Sequence, residues 1–390
     1  MKRLAIITTH PIQYYAPVFT LLQQRQKIQI MVFYTLGQEA TQQGHDPGFD
    51  RKISWDLPLT EGYPYTWVSN TAKKPGSHNF SGVKNPDLIE RVVAWQPDAL
   101  LVFGWSYRGH LGVIRYFKNR IPVIFRGDST LLDQTSATRS VLKYLLLKWV
   151  YRHVDVALYV GANNKAYFKH YGLTEDELVF APHAVDNERF ATKKRDSRDI
   201  RSELGIPDDS MLVLFAGKLS AKKAPLLLLD AFVTLADPNV HLLFAGNGEL
   251  EADLKLKAAG QSHVHFLDFT NQSEMPAVYQ ACDVFCLPSA GPAETWGLAV
   301  NEAMACGKAV LVSDRVGCAK DLVRPNVNGL VFESGNVTDL VEKLHFLTKD
   351  RNICIAYGKE SMALIKNWNF SAIATAIEKT VIKLTDGRTK

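Results

Sequence analysis

The sequence has few cysteines, no obvious cluster of metal ligands and no long apolar run. Its 390 residues include five cysteines, an odd number with no Cys-x-x-Cys pair, so a disulfide framework is not supported. Cys282-Asp-Val-Phe-Cys286-Leu-Pro reads as a buried strand carrying reduced thiols. Apolar runs such as 144–147 and 226–229 fall far short of the ~18–20 residues of a membrane-spanning helix. Met1-Lys2-Arg3 is followed only by the apolar stretch 4–7, too short for a signal-peptide core. A soluble, cytoplasmic protein is the expectation. Neither sign of charge dominates: 45 Lys and Arg stand against 40 Asp and Glu, a net +5. That balance suits an anionic ligand or a peripheral contact with acidic membrane, and gives no argument for nucleic acid. His263-x-His265 alternates along a strand and reads as a surface pair, so no metal is expected.

What is present is ordinary globular composition, 46% apolar and 22% charged, which excludes global disorder and a fibrous fold. The length suggests two domains at roughly 100–200 residues each. Short apolar strands alternate with amphipathic helices along most of the chain. Strands are expected at 4–8, 28–34, Ala99–Phe103, 122–125, 155–160 and 178–181. A second series is expected at Met211–Ala216, 241–245, Val264–Leu267, 283–287 and 309–312. Such alternation implies α/β architecture with parallel sheets covered on both faces. Residues 191–210 are charged and turn-rich and read as a linker with one short helix. The segment 35–60 has little periodicity and contains Gly37, Gly44, Pro47 and Gly48, so it reads as a long loop, usually functional or mobile. In open parallel sheets ligands bind beyond the carboxyl ends of the strands, which makes the residues just after strands the ones to inspect.

In the second half, Met211–Ala216 runs into Gly217-Lys218-Leu219-Ser220-Ala221-Lys222-Lys223-Ala224-Pro225. Three lysines at a strand-to-helix turn attract phosphate, although a solvated basic turn has the same look. After the strand at 283–287 comes Ser289-Ala-Gly-Pro-Ala-Glu294-Thr295-Trp296-Gly297-Leu298-Ala-Val-Asn-Glu302, closed by Gly307 as a helix C-terminal glycine. Glu302 falls among small apolar residues, so it needs a partner. Ligand hydroxyls, a backbone group or a lysine such as Lys308 would each serve.

The pattern Glu294-x7-Glu302 resembles the signature of the family-four retaining, nucleotide-sugar-dependent glycosyltransferases. Gly217-Lys218-Leu219 with Lys223 resembles that family's phosphate loop, and Gly246-Asn-Gly248 its second glycine turn. Asp268-Phe269 with 279–289 resembles its base-side segment, and Asn326-Val-Asn328-Gly329-Leu330 a later turn. The resemblance implies the GT-B fold, two Rossmann-like parallel-sheet domains facing across a cleft. It implies an N-terminal acceptor domain, 1–190, with a last helix 370–386 packing back on it, and a donor domain, 205–367. Lys218 and Lys223 would hold the donor diphosphate, Glu294 the sugar and Glu302 the ribose. Gly217, Gly246, Asp268, Phe269, Thr295, Trp296, Gly297 and Leu298 would complete the donor site. Lys218 stands where the family usually has Arg, and Ala224 where it usually has Gly. No cofactor or metal is implied, because the cations stabilise the departing nucleoside diphosphate.

In the first half, Thr8-Thr9-His10-Pro11-Ile12-Gln13-Tyr14-Tyr15 follows a strand but lacks the glycines of many relatives. His10 and Gln13 are candidate acceptor-side contacts, as are Trp105, Arg108 and Arg126, though His10 also reads as a structural turn residue. Asp128 stands near the place of a family His and is a candidate catalytic group, or simply a partner for Arg126. Pro182-His183 resembles a junction segment. The stretch 141–151 is very apolar. Arg139 and Lys143 fall opposite Lys148 and Arg152, which favours a core helix over a membrane-facing one. The expected activity is retaining transfer of a hexosyl-type sugar from a UDP-sugar, with GDP second, to a glycan or lipid-linked hydroxyl, as in cell-surface polysaccharide or glycolipid biosynthesis. The rival reading is a catalytically silent GT-B protein that binds nucleotide sugars.

Overall fold

The computed structural model describes the chain except residues 44, 47–50, 53–54, 133–136, 195–196, 292–293 and 388–390, and the side chains of 42–43, 45–46, 51–52 and 137–140. Parts of the expected long loop and linker, of the loop before Glu294, and the placing of the Arg139 side chain therefore lie outside the described residues. The chain divides into two compact units. One comprises 1–44, 58–183 and 370–390, and the other 45–57 and 184–369.

Strands, in chain order, are β1 (Arg3–Thr8), β2 (Gln29–Tyr34), β3 (His45–Asp46), β4 (Arg51–Lys52), β5 (Tyr65–Trp67), β6 (Ala99–Phe103), β7 (Val123–Arg126), β8 (Val156–Tyr159), β9 (Leu178–Phe180), β10 (Met211–Ala216), β11 (Val240–Ala245), β12 (Val264–Leu267), β13 (Val284–Leu287), β14 (Ala309–Ser313) and β15 (Gly329–Phe332). Among the described residues, the first unit holds a seven-stranded parallel sheet in the order β5-β2-β1-β6-β7-β8-β9. The second holds a six-stranded parallel sheet ordered β12-β11-β10-β13-β14-β15. Each is the open α/β pattern expected from the alternation of strands and helices. Strands such as β6, β10 and β13 are buried at every position, because helices cover both faces and neither face can be polar.

The last helix, Phe370–Asp386, belongs to the first unit. Its Glu378 is buried and takes two cations from the helix Ala16–Arg25 and the residues after it, Arg25 at 3.3 Å and Lys27 at 3.4 Å. Arg25 also donates to the Thr375 hydroxyl at 2.9 Å.

Three expectations need correction. β3, β4, β5 and β15 are strands where none was expected: β3 and β4 pair antiparallel and, with the helix Gln38–Gln43, give the expected long loop 35–60 structure of its own, β5 is a three-residue edge strand and β15 is hidden behind the turn at 324–328. The helix Ala137–Tyr151 is only half a core helix. Leu147, Val150 and Tyr151 are buried, but Val141, Leu142, Leu145 and Leu146 are exposed, Leu142 at 72%. His263 and His265 are not a surface pair. Both are half-buried, the His265 Nε2 lies 2.9 Å from Nδ1 of the buried His241, and the His263 ring is 4.6 Å from that of His241.

Candidate functional site

At the carboxyl end of the second sheet, β10 passes into Gly217 with φ +149°. Leu219 is buried, and one tight turn, Ala221–Lys223, leads to Ala224 at φ 49° and the helix Pro225–Leu235. Ala224 is thus an L-residue in the left-handed conformation that glycine adopts without strain. The glycine turn after β11 lies flat against this loop. A Cβ at Gly246 would stand 2.3 Å from the Gly217 carbonyl oxygen, and one at Gly248 2.4 Å from that of Leu219. Leu219 N donates to Asn247 O at 3.0 Å, and Leu250 N to Leu219 O at 2.9 Å.

Asn247, quoted in the sequence only as the residue between two glycines, proves to be the organiser of this corner. Buried, it donates to Asp268 Oδ1 at 3.1 Å and to Glu251 Oε2 at 2.9 Å, and accepts from Phe269 N at 2.7 Å. Asp268 and Phe269 are therefore fixed relative to Gly246. Trp55 packs on Phe269 with ring centroids 6.2 Å apart, and Asp56 accepts from Ser273 N at 3.1 Å.

The two acidic residues are held differently. Glu294 is 7% exposed and pairs with Lys223 Nζ at 2.8 Å, while Ser289 Oγ donates to the same oxygen at 3.0 Å. Burial would push its carboxyl up. The Lys223 ammonium, with Lys222 and the Ser289 hydroxyl, outweighs that and holds it below the ordinary carboxylate range. The loop is pinned from a second side. Gly317 N donates to Glu294 O at 3.1 Å and Cys318 N to Trp296 O at 2.9 Å, and a Cβ on Gly317 would fall 1.8 Å from Thr295 O. Gly317 is a second residue that sequence reasoning missed. Ala290 N bonds Lys222 O at 2.9 Å, joining the lysine turn to the glutamate loop.

Gly297, at φ 95°, precedes the helix Leu298–Ala305, and a Cβ there would meet Val316 at 2.9 Å. Thr295 and Leu298 flank it half-buried. The Trp296 side chain turns inward. Its Nε1 donates to Asn301 Oδ1 at 2.8 Å and its ring lies 5.3 Å from that of Trp368. Glu302 is buried, and its partner is the Tyr279 hydroxyl at 2.8 Å; Lys308 instead donates to Gln280 O at 2.8 Å. Lys218 is half-buried in the same turn. One end of the sheet thus gathers Gly217, Lys218, Lys223, Glu294 and the start of a helix, a cationic and hydroxyl-binding chemistry suited to a phosphorylated sugar.

In the first unit, the turn after β1 carries His10, whose Nδ1 lies 3.0 Å from Thr9 Oγ1, and the half-buried Gln13. Burial, helped by the neighbouring His78, lowers the His10 pKa. Arg126 departs from the expected open acceptor contact. It is 2% exposed, and its guanidinium donates to the carbonyls of Ala181 and Pro182 at 2.8 and 2.9 Å. It serves to tie the end of β7 to the segment after β9. Asp128 faces His183, Nε2 to Oδ2 3.6 Å, with Asp128 half-exposed and His183 buried. The Tyr15 ring is stacked with that of His183, centroids 6.4 Å apart, and tilted against that of Phe103 at 4.6 Å. Trp105 packs against the core of this unit, and Arg108 is exposed at the start of the helix Arg108–Phe117. The neighbouring His110 is wholly buried between Thr35 and the carbonyls of Phe103 and Gly104.

The family model for glycosyl transferases group 1 matches residues 196–367. A D-inositol 3-phosphate glycosyltransferase of Geodermatophilus obscurus is 32% identical over 343 residues, covering 79% of this chain and 74% of that one. The chain belongs to the group 1 glycosyltransferases. Another protein of that description, from Streptomyces bingchenggensis, is 31% identical over 226 residues, 53% of this chain and 48% of that one. The match thus spans about half the length of several curated relatives. Among solved structures, Anabaena HepE in complex with UDP and glucose superposes with a TM-score of 0.73 at 18% identity, over 98% of this chain and 100% of that one. At that identity the likeness shows the fold, two Rossmann-like α/β units of the GT-B kind. The stretch matched by the group 1 family model takes in all of the lysine turn, the glycine turn and both glutamates.

Proposed function

We propose that the protein transfers a hexosyl-type sugar from a nucleoside-diphosphate sugar to a hydroxyl of a glycan or lipid-linked acceptor, with retention of anomeric configuration. UDP-sugars stand first as donors and GDP-sugars second. The observation that carries this reading is the Lys223–Glu294 pair, 2.8 Å apart and pinned between the glycine turn 246–248 and Gly317, beside the start of the helix Leu298–Ala305. Breaking the bond between the anomeric carbon and the phosphate oxygen leaves both electrons on the diphosphate. Lys218, Lys223 and the positive end of the helix oppose that charge as it grows. Glu294 holds the sugar hydroxyls and Glu302 the ribose. These cations make a metal unnecessary in the proposed mechanism. HepE, crystallised with UDP and glucose, lends the donor class support.

The acceptor side belongs to the first unit in this proposal, with His10, Gln13, Arg108 and Asp128 as contacts. Val141, Leu142, Leu145 and Leu146 form an exposed apolar strip with exposed Lys143 and Lys148 on the same helix. Apolar side chains ringed by cations suit an acidic bilayer surface, so the proposal places the protein in the cytoplasm, peripheral to the membrane. No helix among the described residues is long and apolar enough to cross one.

The deciding experiment is calorimetric titration with UDP, GDP and their sugars, followed by NMR of the anomeric proton of the product. UDP should bind at least tenfold more tightly than uridine, and Glu294→Ala should abolish transfer in a folded protein. Equal affinities for UDP and uridine, or undiminished turnover by Glu294→Ala, would refute the assignment.

A further inference from the structure

A separate cavity of about 390 Å³ opens on the second unit, lined by the end of the helix Arg351–Ile365, the residues just after it and the turn before β15. Asp321, Arg324, Glu360, Asn367 and Trp368 supply its polar and aromatic wall. None of them belongs to the lysine turn, the glycine turn or the glutamate loop. The volume is within the range that takes a small ligand.

The wall is built, not incidental. Asn326 takes a left-handed φ of 62° in a tight turn. The wholly buried Asn328 clasps that turn, accepting from Arg324 N at 2.7 Å and donating to Leu322 O at 2.9 Å. Arg324 is thereby held at the rim. Arg324, Glu360 and Asn367 spend their side chains on no hydrogen bond or ion pair among the described residues. Trp368 is braced from behind by Trp296, its ring 5.3 Å away, and Asn187 Nδ2 bonds its carbonyl at 3.1 Å.

We infer that this groove binds a neutral saccharide, giving the glycan a hold on the donor-side unit outside the donor site. A sugar alternates donors and acceptors around an apolar ring. The wall matches that with carboxylates that accept, a guanidinium that donates, an amide that does both and a flat indole. The lining holds one cation, Arg324, and two carboxylates, Asp321 and Glu360, so the groove carries no excess positive charge. That argues against a phosphate or a nucleotide as its occupant. The choice of a saccharide deepens, and rests on, the glycosyltransferase reading above.

Saturation-transfer NMR with maltose, cellobiose and chitobiose on the intact protein tests it, in the absence of UDP and with saturating UDP. At least one disaccharide should bind in both conditions. Glu360→Gln and Arg324→Ala should each weaken it about tenfold, the loss of one hydrogen bond to a charged group. Both positions are exposed, and unchanged thermal unfolding of the two variants would show that the fold is intact. Binding of none of the three sugars, variants that bind like the wild type, or displacement by UDP would each overturn the inference. Failure of UDP itself to bind would count against the proposed function and leave the groove result standing.

Discussion

Replacing Lys223 by Met tests how the two acidic and basic groups of the site are coupled. The ammonium sits 2.8 Å from Glu294, with 16% of its side chain and 7% of its partner's in contact with water. Removing one member of a buried pair strands the other, at a cost of about 3–5 kcal/mol. Lys223 keeps some exposure, and Ser289 and Lys222 still face the carboxylate, so the low end, about 3 kcal/mol, is expected at neutral pH. For a unit of this size that lowers the melting temperature by roughly 6–12 °C. Glu294→Gln should cost less, because the lysine it releases can turn to water. The double variant should lose less than the sum, by about 1–3 kcal/mol.

The pH profile discriminates further. In the wild type the Glu294 pKa is held below its ordinary value, so its stabilisation is present above the unfolded-state pKa and is lost as pH falls through the folded one. Burial is the largest influence on this carboxyl and pushes it up. Without Lys223 the folded pKa should therefore rise above the unfolded value, and the sign reverses: Lys223→Met should gain stability relative to the wild type as the solution is acidified. Calorimetric melting of both proteins across mildly acidic to neutral pH measures this. A cost under about 1 kcal/mol, together with parallel pH profiles, would show that Lys223 and Glu294 are not a coupled buried pair.

Other outcomes are expected from single positions. Ala224→Gly should stabilise the protein by about 0.5–1 kcal/mol in urea melts, because a left-handed alanine costs more than the extra freedom of glycine in the unfolded chain; a destabilised variant would contradict the strain. Gly246→Ala should abolish UDP binding in calorimetry, since its Cβ would press 2.3 Å from the Gly217 carbonyl, and retained affinity would show that the turn yields. Burial, then His263 and His265, bring the His241 pKa down to about 4. A neutral buried histidine stabilises fully above its unfolded pKa near 6.5 and loses that contribution as pH falls towards 4. Urea melts should therefore show a loss between pH 7 and pH 5 that His241→Asn reduces; an unchanged slope would refute it. Leu142→Glu with Leu145→Glu should cut sedimentation with phosphatidylserine vesicles while leaving UDP affinity unchanged, and undiminished sedimentation would remove the membrane contact.

The parts of the fold visible in the sequence are those whose signal is local. β10, β11, β13 and β14 are continuous buried runs dominated by Val, Leu, Phe and Ala, broken by single residues such as His241 and Ser313, and short runs of that kind between turn signals suit buried strands. Gly297 and Gly307 bracket a helix because both take positive φ. β5 gives no such signal: Tyr65 is exposed, Thr66 and Trp67 are half-buried, and only pairing with β2 makes the segment a strand. The charge pattern at 141–151 could not tell which side of the helix would be covered, since that depends on the strands it meets. The histidine group is similar: His241 lies on β11 and His263 just before β12, and only strand register puts the rings together.

The site shows the same division between residue type and arrangement. Lysines in a turn and a glutamate before a helix are legible as kinds of chemistry, but a pairing between them depends on how β10 and β13 lie side by side in the sheet. In the first unit the consequence is larger. Arg126 and Asp128, two residues apart, looked like natural partners. Instead the guanidinium donates to two carbonyls beyond β9, and Asp128, still close enough to act on it electrostatically, faces His183 from the same segment. Burial lowers the His183 pKa, with Arg126 adding to that effect and Asp128 opposing it. The Asp128 carboxylate keeps its exposure while Arg126 is committed to the carbonyls of Ala181 and Pro182.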